Sequence, residues 1–122
     1  VALKGIMSTG DLIDIDSGYI DTQGSGAGSI TGTLYTELTT TNAGSDIQFT
    51  SGVNSGDISI SSSLNAEDDV ALTAQAGSIT HSGGLITSSF LTADAATGLS
   101  ANADIATLDA SLTDSGDISV NN

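Results

Sequence analysis

Cysteine, proline and tryptophan are absent from this chain, and Lys4 is its single lysine or arginine. Fifteen acidic residues oppose that one cation, which gives a formal net charge of −14 at pH 7. Nucleic acid is therefore excluded as a partner, because phosphate binding requires clustered lysine or arginine. The lack of cysteine is compatible with export, since a repeat fold builds its core by repetition and needs no disulfides.

Long hydrophobic runs are also missing. No segment approaches the roughly 20 apolar residues that cross a bilayer, so we expect no membrane insertion. The first residues lack a basic run followed by an apolar run, so no signal peptide is visible. The length of 122 residues fits one domain with one continuous core.

Aromatic residues are few, and they are limited to Tyr19, Tyr35, Phe49 and Phe90. A core without large rings must be thin and filled by valine, isoleucine, leucine and alanine, which favours a narrow solenoid. High charge and abundant glycine and serine would favour disorder, but the absence of proline and the recurrence of aliphatic residues along the whole chain argue against it.

A short motif recurs through the sequence: glycine, a small polar residue, an aliphatic residue, then serine or threonine. Its four clear copies are Gly28-Ser29-Ile30-Thr31, Gly56-Asp57-Ile58-Ser59, Gly77-Ser78-Ile79-Thr80 and Gly116-Asp117-Ile118-Ser119. Glycine takes the backbone through a turn, and the β-branched residue begins an extended segment. The motif therefore predicts a turn that leads into a strand.

The spacing of the aliphatic residues predicts stacked coils. Ile58, Ile79, Leu99 and Ile118 recur at a nearly constant interval, and the same phase extended backwards reaches Leu38 and Ile20. A second series has a similar mean spacing and consists of Ile13, Ile30, Ile47, Val70, Leu91 and Leu112. Within each coil, segments such as Ile58-Ser59-Ile60 alternate apolar and polar residues, which is typical of strands with one buried face.

These patterns predict an all-β protein, a parallel β-helix (β-solenoid) with about 20 residues per coil and about six coils. Residues 44–122 would form the regular coils. Residues 1–43, which are less regular, would form a cap or joining segment continuous with the solenoid. An antiparallel β-sandwich also has short strands and frequent turns, and it is the alternative fold.

The second half of the chain resembles a known family. The segments that carry the resemblance are Gly77-Ser78-Ile79-Thr80, Gly83-Gly84-Leu85-Ile86-Thr87, Leu91-Thr92-Ala93, Ala101-Asn102-Ala103-Asp104-Ile105 and Gly116-Asp117-Ile118-Ser119-Val120-Asn121-Asn122. They resemble the degenerate repeats of filamentous-haemagglutinin-like large exoproteins of Gram-negative bacteria, over the chain from Gly44 onward. The family's amino-terminal secretion domain is not recognisable in residues 1–40.

The resemblance implies a right-handed parallel β-helix that is exported to the bacterial cell surface or beyond it. The implied function is structural and adhesive: a rigid displayed shaft that serves adhesion, aggregation or biofilm formation. Its partners would be itself or neighbouring coils of the same polypeptide, together with a host or matrix glycan or protein. The alternative is a subunit that assembles into an extracellular filament, by strand complementation or by end-to-end stacking of coils.

Two acidic segments are candidates for calcium, the one cofactor that we consider. Asp14 and Asp16 alternate before a glycine turn and Asp21 follows it, so the three could offer hard oxygen ligands. The twelve-residue calcium loop is incomplete, however. Equally, Asp14 and Asp16 would lie on the solvent face of a strand. The cluster Glu67-Asp68-Asp69 could hold a cation on a turn, or it could be a solvated turn.

Catalytic machinery is not visible in the sequence. His81 is the sole histidine, and its position in Thr80-His81-Ser82 predicts a residue on a surface turn. No Gly-x-Ser-x-Gly motif accompanies it, and arginine is absent. We therefore expect no enzymatic activity and no catalytic residues.

Overall fold

A computed structural model describes residues 2–3, 7–8, 12–16, 30–32, 38–40, 44, 46–51 and 56–122, with side chains described from residue 44 onward. Every element in these ranges is a β-strand. The strands are β1 (Ala2–Leu3), β2 (Met7–Ser8), β3 (Leu12–Asp16), β4 (Ile30–Gly32), β5 (Leu38–Thr40), β6 (Asp46–Ser51), β7 (Ile58–Ile60), β8 (Leu64–Asn65), β9 (Asp69–Ala74), β10 (Ser78–His81), β11 (Ile86–Ala95), β12 (Gly98–Leu112) and β13 (Ile118–Asn121).

The strands stack into three sheet faces, and every described pair is parallel. The first face follows the order β1-β4-β7-β10-β12-β13, and the second follows β2-β5-β8-β11-β12. The third face follows β3-β6-β9-β11-β12. β11 and β12 are long because each contributes to more than one face. The chain is therefore a parallel β-solenoid, as predicted, and the antiparallel sandwich is excluded for the described strands.

The register of the first face gives the length of each coil. Ile58 pairs with Ile79, Ile79 with Leu99, and Leu99 with Ile118, and these three steps define successive coils of nearly equal length. The predicted spacing is confirmed for these coils. Residues Ile58, Ile79 and Leu99 are at most 2% exposed, so one aliphatic ladder runs through the core.

The coils nearer the amino terminus are longer, and the constant period was wrong there. Ile58 pairs with Ile30, which is a longer step along the chain than any in the later coils. Ile30, and not Leu38 as predicted, is therefore the residue that precedes Ile58 in the first-face ladder. Leu38 instead pairs with Leu64 on the second face, and Ile20 lies outside the described residues. When coils differ in length, their strands still pair with the same side chains facing inward. The number of residues between paired positions then varies from coil to coil.

The second predicted series is correct for four of its members. Ile13, Ile47, Val70 and Leu91 pair in register on the third face, but the next position is Leu108, and Leu112 pairs with Ala95. Strands of residues 1–43 thus pair in parallel with the later coils. That the segment is a cap or a joining element stays a prediction.

The core is a narrow apolar column in which inward residues alternate with outward ones. β6 and β9 both show strict alternation of buried and half-buried residues. The largest fully buried side chains are Phe49, Ile47, Ile58, Ile60, Leu64, Leu72, Ile79, Ile86, Leu91 and Val70. Fully burying one such side chain contributes about 1.5–3 kcal/mol, so the repeated ladders are the principal source of stability.

At the last coil, side chains that continue the buried ladders are exposed to solvent. Val70 and Leu91 are 0% exposed, whereas Leu108, the next residue of the same ladder, is 42% exposed. In the first-face ladder Leu99 is 2% exposed and Ile118 is 46% exposed. Aliphatic side chains that occupy inward register positions are therefore open to solvent at this end of the solenoid.

Glycine is required where two coils approach closely. A Cβ on Gly77 would collide with the carbonyl oxygen of Gly56 in the coil before it. Gly84 has a φ of +76°, and a Cβ there would lie 2.8 Å from the backbone nitrogen of Ser63. Gly77, a glycine of the motif, thus permits the close stacking of turns, and Gly84, which lies outside the motif, combines close stacking with a left-handed backbone.

Candidate functional site

The outer surface of the third face carries a cluster of three carboxylates. The pairing of Ile47 with Val70 brings the amino-terminal ends of β6 and β9 together, so that Asp46 lies beside Asp69. Asp46 Oδ1 accepts a hydrogen bond of 3.1 Å from the backbone N–H of Asp69. One carboxylate oxygen from each of Asp46, Asp68 and Asp69 lies within 4.8 Å of the other two.

The electrostatics of this cluster are those of crowded like charges. The pKa of Asp69 is raised above its ordinary value of 3.8, first by burial and then by the negative charges of Asp68 and Asp46. Crowded carboxylates repel one another unless a cation or a proton joins them. Three convergent oxygen ligands of this kind suit a hard divalent cation such as Ca²⁺.

Sequence reasoning found part of this cluster and missed the rest. It singled out Glu67, Asp68 and Asp69 as a turn that either holds a cation or is solvated, but Asp46 is 23 residues away from Asp69 and was not connected to them. The signal that could have found it was present in the second aliphatic series, because aligning Ile47 with Val70 also aligns the residues before them.

The other predicted calcium ligands lie elsewhere. Asp14 and Asp16 belong to β3, where their register partners are Gln48 and Thr50 of β6. Asp21 lies outside the described residues. The structure does not pair Asp14 or Asp16 with another carboxylate in the described strands, and calcium binding by these three residues stays a prediction.

Calcium is expected to stabilise the solenoid through the Asp46, Asp68 and Asp69 cluster. At a calcium concentration ten times the Kd, binding to the folded state raises the free energy of unfolding by about 1.4 kcal/mol. The raised pKa of Asp69 means that the folded protein favours the protonated carboxyl. The stabilisation from this group is therefore fully present below pH 3.8, and it is lost as the pH rises through the pKa of the folded state. Asp69→Asn is therefore expected to be more stable than the parent at neutral pH without calcium, by roughly 0.5 kcal/mol.

Urea unfolding followed by circular dichroism, with calcium or with chelator, measures both effects. Asp69→Asn should remove most of the calcium response, and Asp104→Asn, an exposed carboxylate on β12, is the matched control that should retain it. An equal calcium response in both variants would contradict a site at this cluster.

His81 occupies the core, and the prediction of a surface turn was wrong. β10 extends to His81, and Ser78–His81 alternates outward and inward, so the imidazole follows Ile79 into the interior and is 2% exposed. The ring Nε2–H donates a hydrogen bond of 2.7 Å to the backbone carbonyl oxygen of Ser62. Burial lowers the pKa of His81 below 6.5, and the bond to Ser62 opposes that shift in part.

A shallow groove lies on the outer side of the first face, across the last coils. Its lining surface is mostly apolar and is contributed by Ser78, Ile79, Thr80, Gly98, Leu99, Ser100, Asp117 and Ser119. Thr80 pairs with Ser100, and Ser100 pairs with Ser119, so hydroxyl groups stack from coil to coil along it. The stacked hydroxyls offer hydrogen-bond donors and acceptors beside the mostly apolar lining of the groove.

The fold and these surfaces define the class: a parallel β-solenoid with an apolar core and an acidic, hydroxyl-rich exterior. Among the described residues no helix is long and apolar enough to cross a membrane. Comparison of the chain with protein-family models, with curated protein sequences and with solved structures gave no match.

Proposed function

We propose that the chain is a structural and adhesive segment of a bacterial extracellular adhesin, a rigid shaft displayed at the cell surface for adhesion, aggregation or biofilm formation. The observation that carries this proposal is the aliphatic ladder of Ile58, Ile79 and Leu99, which is at most 2% exposed and is repeated in register through successive coils. Parallel strands bonded coil to coil resist bending, and length is gained simply by adding coils.

The exterior supports the same proposal. A net charge of −14 keeps the chain soluble and limits non-specific association, which suits a surface exposed to the medium. Stacked hydroxyls in the first-face groove would contact a glycan or protein of the host or matrix. The function needs no catalytic group, and the one imidazole binds a backbone carbonyl in the core.

A second candidate is a subunit of an extracellular filament in which coils of one copy stack on coils of the next. The exposure of Leu108 at 42% and Ile118 at 46% favours it, because both residues continue ladders that are buried in the preceding coils. Covering them with another rung would remove apolar surface from water.

Electron microscopy of the purified chain at neutral pH, with and without calcium, separates the two candidates. Monomers with β-type circular dichroism support the shaft. Long uniform fibres support the filament. A chain that is unfolded by circular dichroism would contradict both, because each requires a stable solenoid.

Matched variants then test whether fibres grow through the open coil. Leu108→Asp places a charge in the exposed ladder and is expected to abolish fibre growth. Leu85→Asp is the control, since Leu85 is 45% exposed but lies before β11 and away from the last coil. Both substitutions add one negative charge, so equal loss of fibres in both would indicate general repulsion and would contradict end-to-end stacking.

A further inference from the structure

The interior of the solenoid contains one ionisable side chain among the residues that the structure describes. The buried polar residues are Ser51, Ser62, His81 and Ser88, and of these only the imidazole titrates. His81 pairs in register with Ile60 of the preceding coil, and on its other side β12 contributes Leu99 and Ala101 as inward residues. The ring therefore occupies a position that an aliphatic residue holds in the neighbouring coil.

The hydrogen bond of His81 fixes the tautomer of the neutral ring. The carbonyl oxygen of Ser62 can only accept, so the Nε2 atom at 2.7 Å must carry the proton. The other ring nitrogen, Nδ1, is buried and has no hydrogen-bond partner, and the same is true of the Ser62 hydroxyl. A second proton could only enter at Nδ1, where it would place both a charge and an unpaired N–H in the core.

Acidic groups near this coil all lie on its outside. β9 carries Asp69, β11 carries Asp94, and β12 carries Asp104 and Asp109, each at an outward or exposed position. Asp57, Glu67 and Asp68 precede β7 and β9 on exposed turns. The inward residues of β7, β9, β11 and β12 are aliphatic, apart from Ser88. An imidazolium at position 81 would therefore have no counter-charge within the described core.

We infer that His81 makes the coil that contains it labile to mild acid, so that the solenoid opens at this coil as the pH falls below neutrality. The inference rests on the burial of the ring, its single hydrogen bond and the absence of a facing carboxylate in the described residues. It does not depend on the proposed function. A rigid rod with one such coil would retain its length at neutral pH and lose its continuity in mildly acidic surroundings.

The direction of the effect follows from proton linkage. The unfolded chain binds a proton at His81 with the ordinary pKa of 6.5, whereas burial lowers the pKa in the folded state. Stability is therefore complete above pH 6.5 and falls as the pH decreases below that value, until the folded pKa is reached. Over that interval the equilibrium constant for unfolding increases by up to about tenfold for each pH unit.

The first test is an NMR titration of the wild-type chain, in which the sole histidine gives one assignable ring signal. The expected result is a ring that is still neutral, with the proton on Nε2, when the pH falls below 6.5 in the folded protein. A ring that titrates reversibly at or above pH 6.5 without any loss of folded signal would overturn the inference.

The second test compares urea unfolding of the wild type and His81→Leu between pH 7.5 and 5.5. Leucine keeps an apolar side chain in the ladder and removes the titration, so the difference between the two pH slopes isolates His81. The expected result is up to about a tenfold greater rise in the unfolding constant per pH unit for the wild type. Parallel slopes would overturn the inference, and if His81→Leu does not fold, the NMR titration of the wild type still tests it.

Discussion

Leu91→Ala is expected to lower the free energy of unfolding by about 3 kcal/mol. Leu91 is 0% exposed and lies between Val70 and Leu108 in the third-face ladder, so truncation leaves a cavity that rungs on both sides prevent from closing. A domain of this size has a total stability of about 5–15 kcal/mol, so this one change removes a large share of it. Urea unfolding followed by circular dichroism gives the value.

Leu108→Ala is the matched control in the same ladder. The residue type and the register are the same, but Leu108 is 42% exposed, and we expect a cost of about 1 kcal/mol. Equal costs at the two positions would contradict the open end of the core. In fibres, by contrast, a stacked rung would cover Leu108, and its truncation would then become nearly as costly as that of Leu91.

Gly84→Ala is the second substitution with a large expected effect, about 3 kcal/mol. Two costs combine in that value. A φ of +76° strains an alanine, and its Cβ would lie 2.8 Å from the backbone nitrogen of Ser63, so the turn must move away from the coil below. Thermal and urea unfolding at neutral pH measure the loss.

Gly44→Ala separates the two costs, because Gly44 has the same φ of +76° but no atom of the residues that the structure describes lies within 4 Å of the position of an added Cβ. We expect it to lose about 1 kcal/mol, which is the backbone strain alone. If Gly44→Ala cost as much as Gly84→Ala, the close approach of Gly84 to Ser63 would not contribute to the loss, which would contradict the tight stacking of this turn on the coil before it.

The proposed shaft and the candidate cation site are connected by charge. Coil stacking brings the carboxylates of Asp46 and Asp69 together on the outer surface, where they repel one another. A divalent cation at that cluster would offset the repulsion and stiffen the third face. Under the proposed extracellular function, calcium in the medium would then strengthen the rod.

Sequence reasoning was most reliable where coils are regular. Ile58, Ile79, Leu99 and Ile118 are identified as one ladder by spacing alone, because parallel stacking places residues of equal phase above one another. It failed between Ile30 and Ile58, where the coil is longer, since a period taken from short coils cannot report the length of a longer one.

The sequence by itself determined the class of fold, through the recurrence of glycine turns and inward aliphatics, and it determined the acidic exterior through composition. Only the tertiary structure decided which distant residues meet. Asp46 joins Asp69 across 23 residues, and His81 turns into the core to bond Ser62 of the preceding coil. The physical reason is that pairing between coils and the ends of strands are set by tertiary packing: β10 continues through His81 and so carries the ring to the inward face, and local sequence pattern does not fix that boundary.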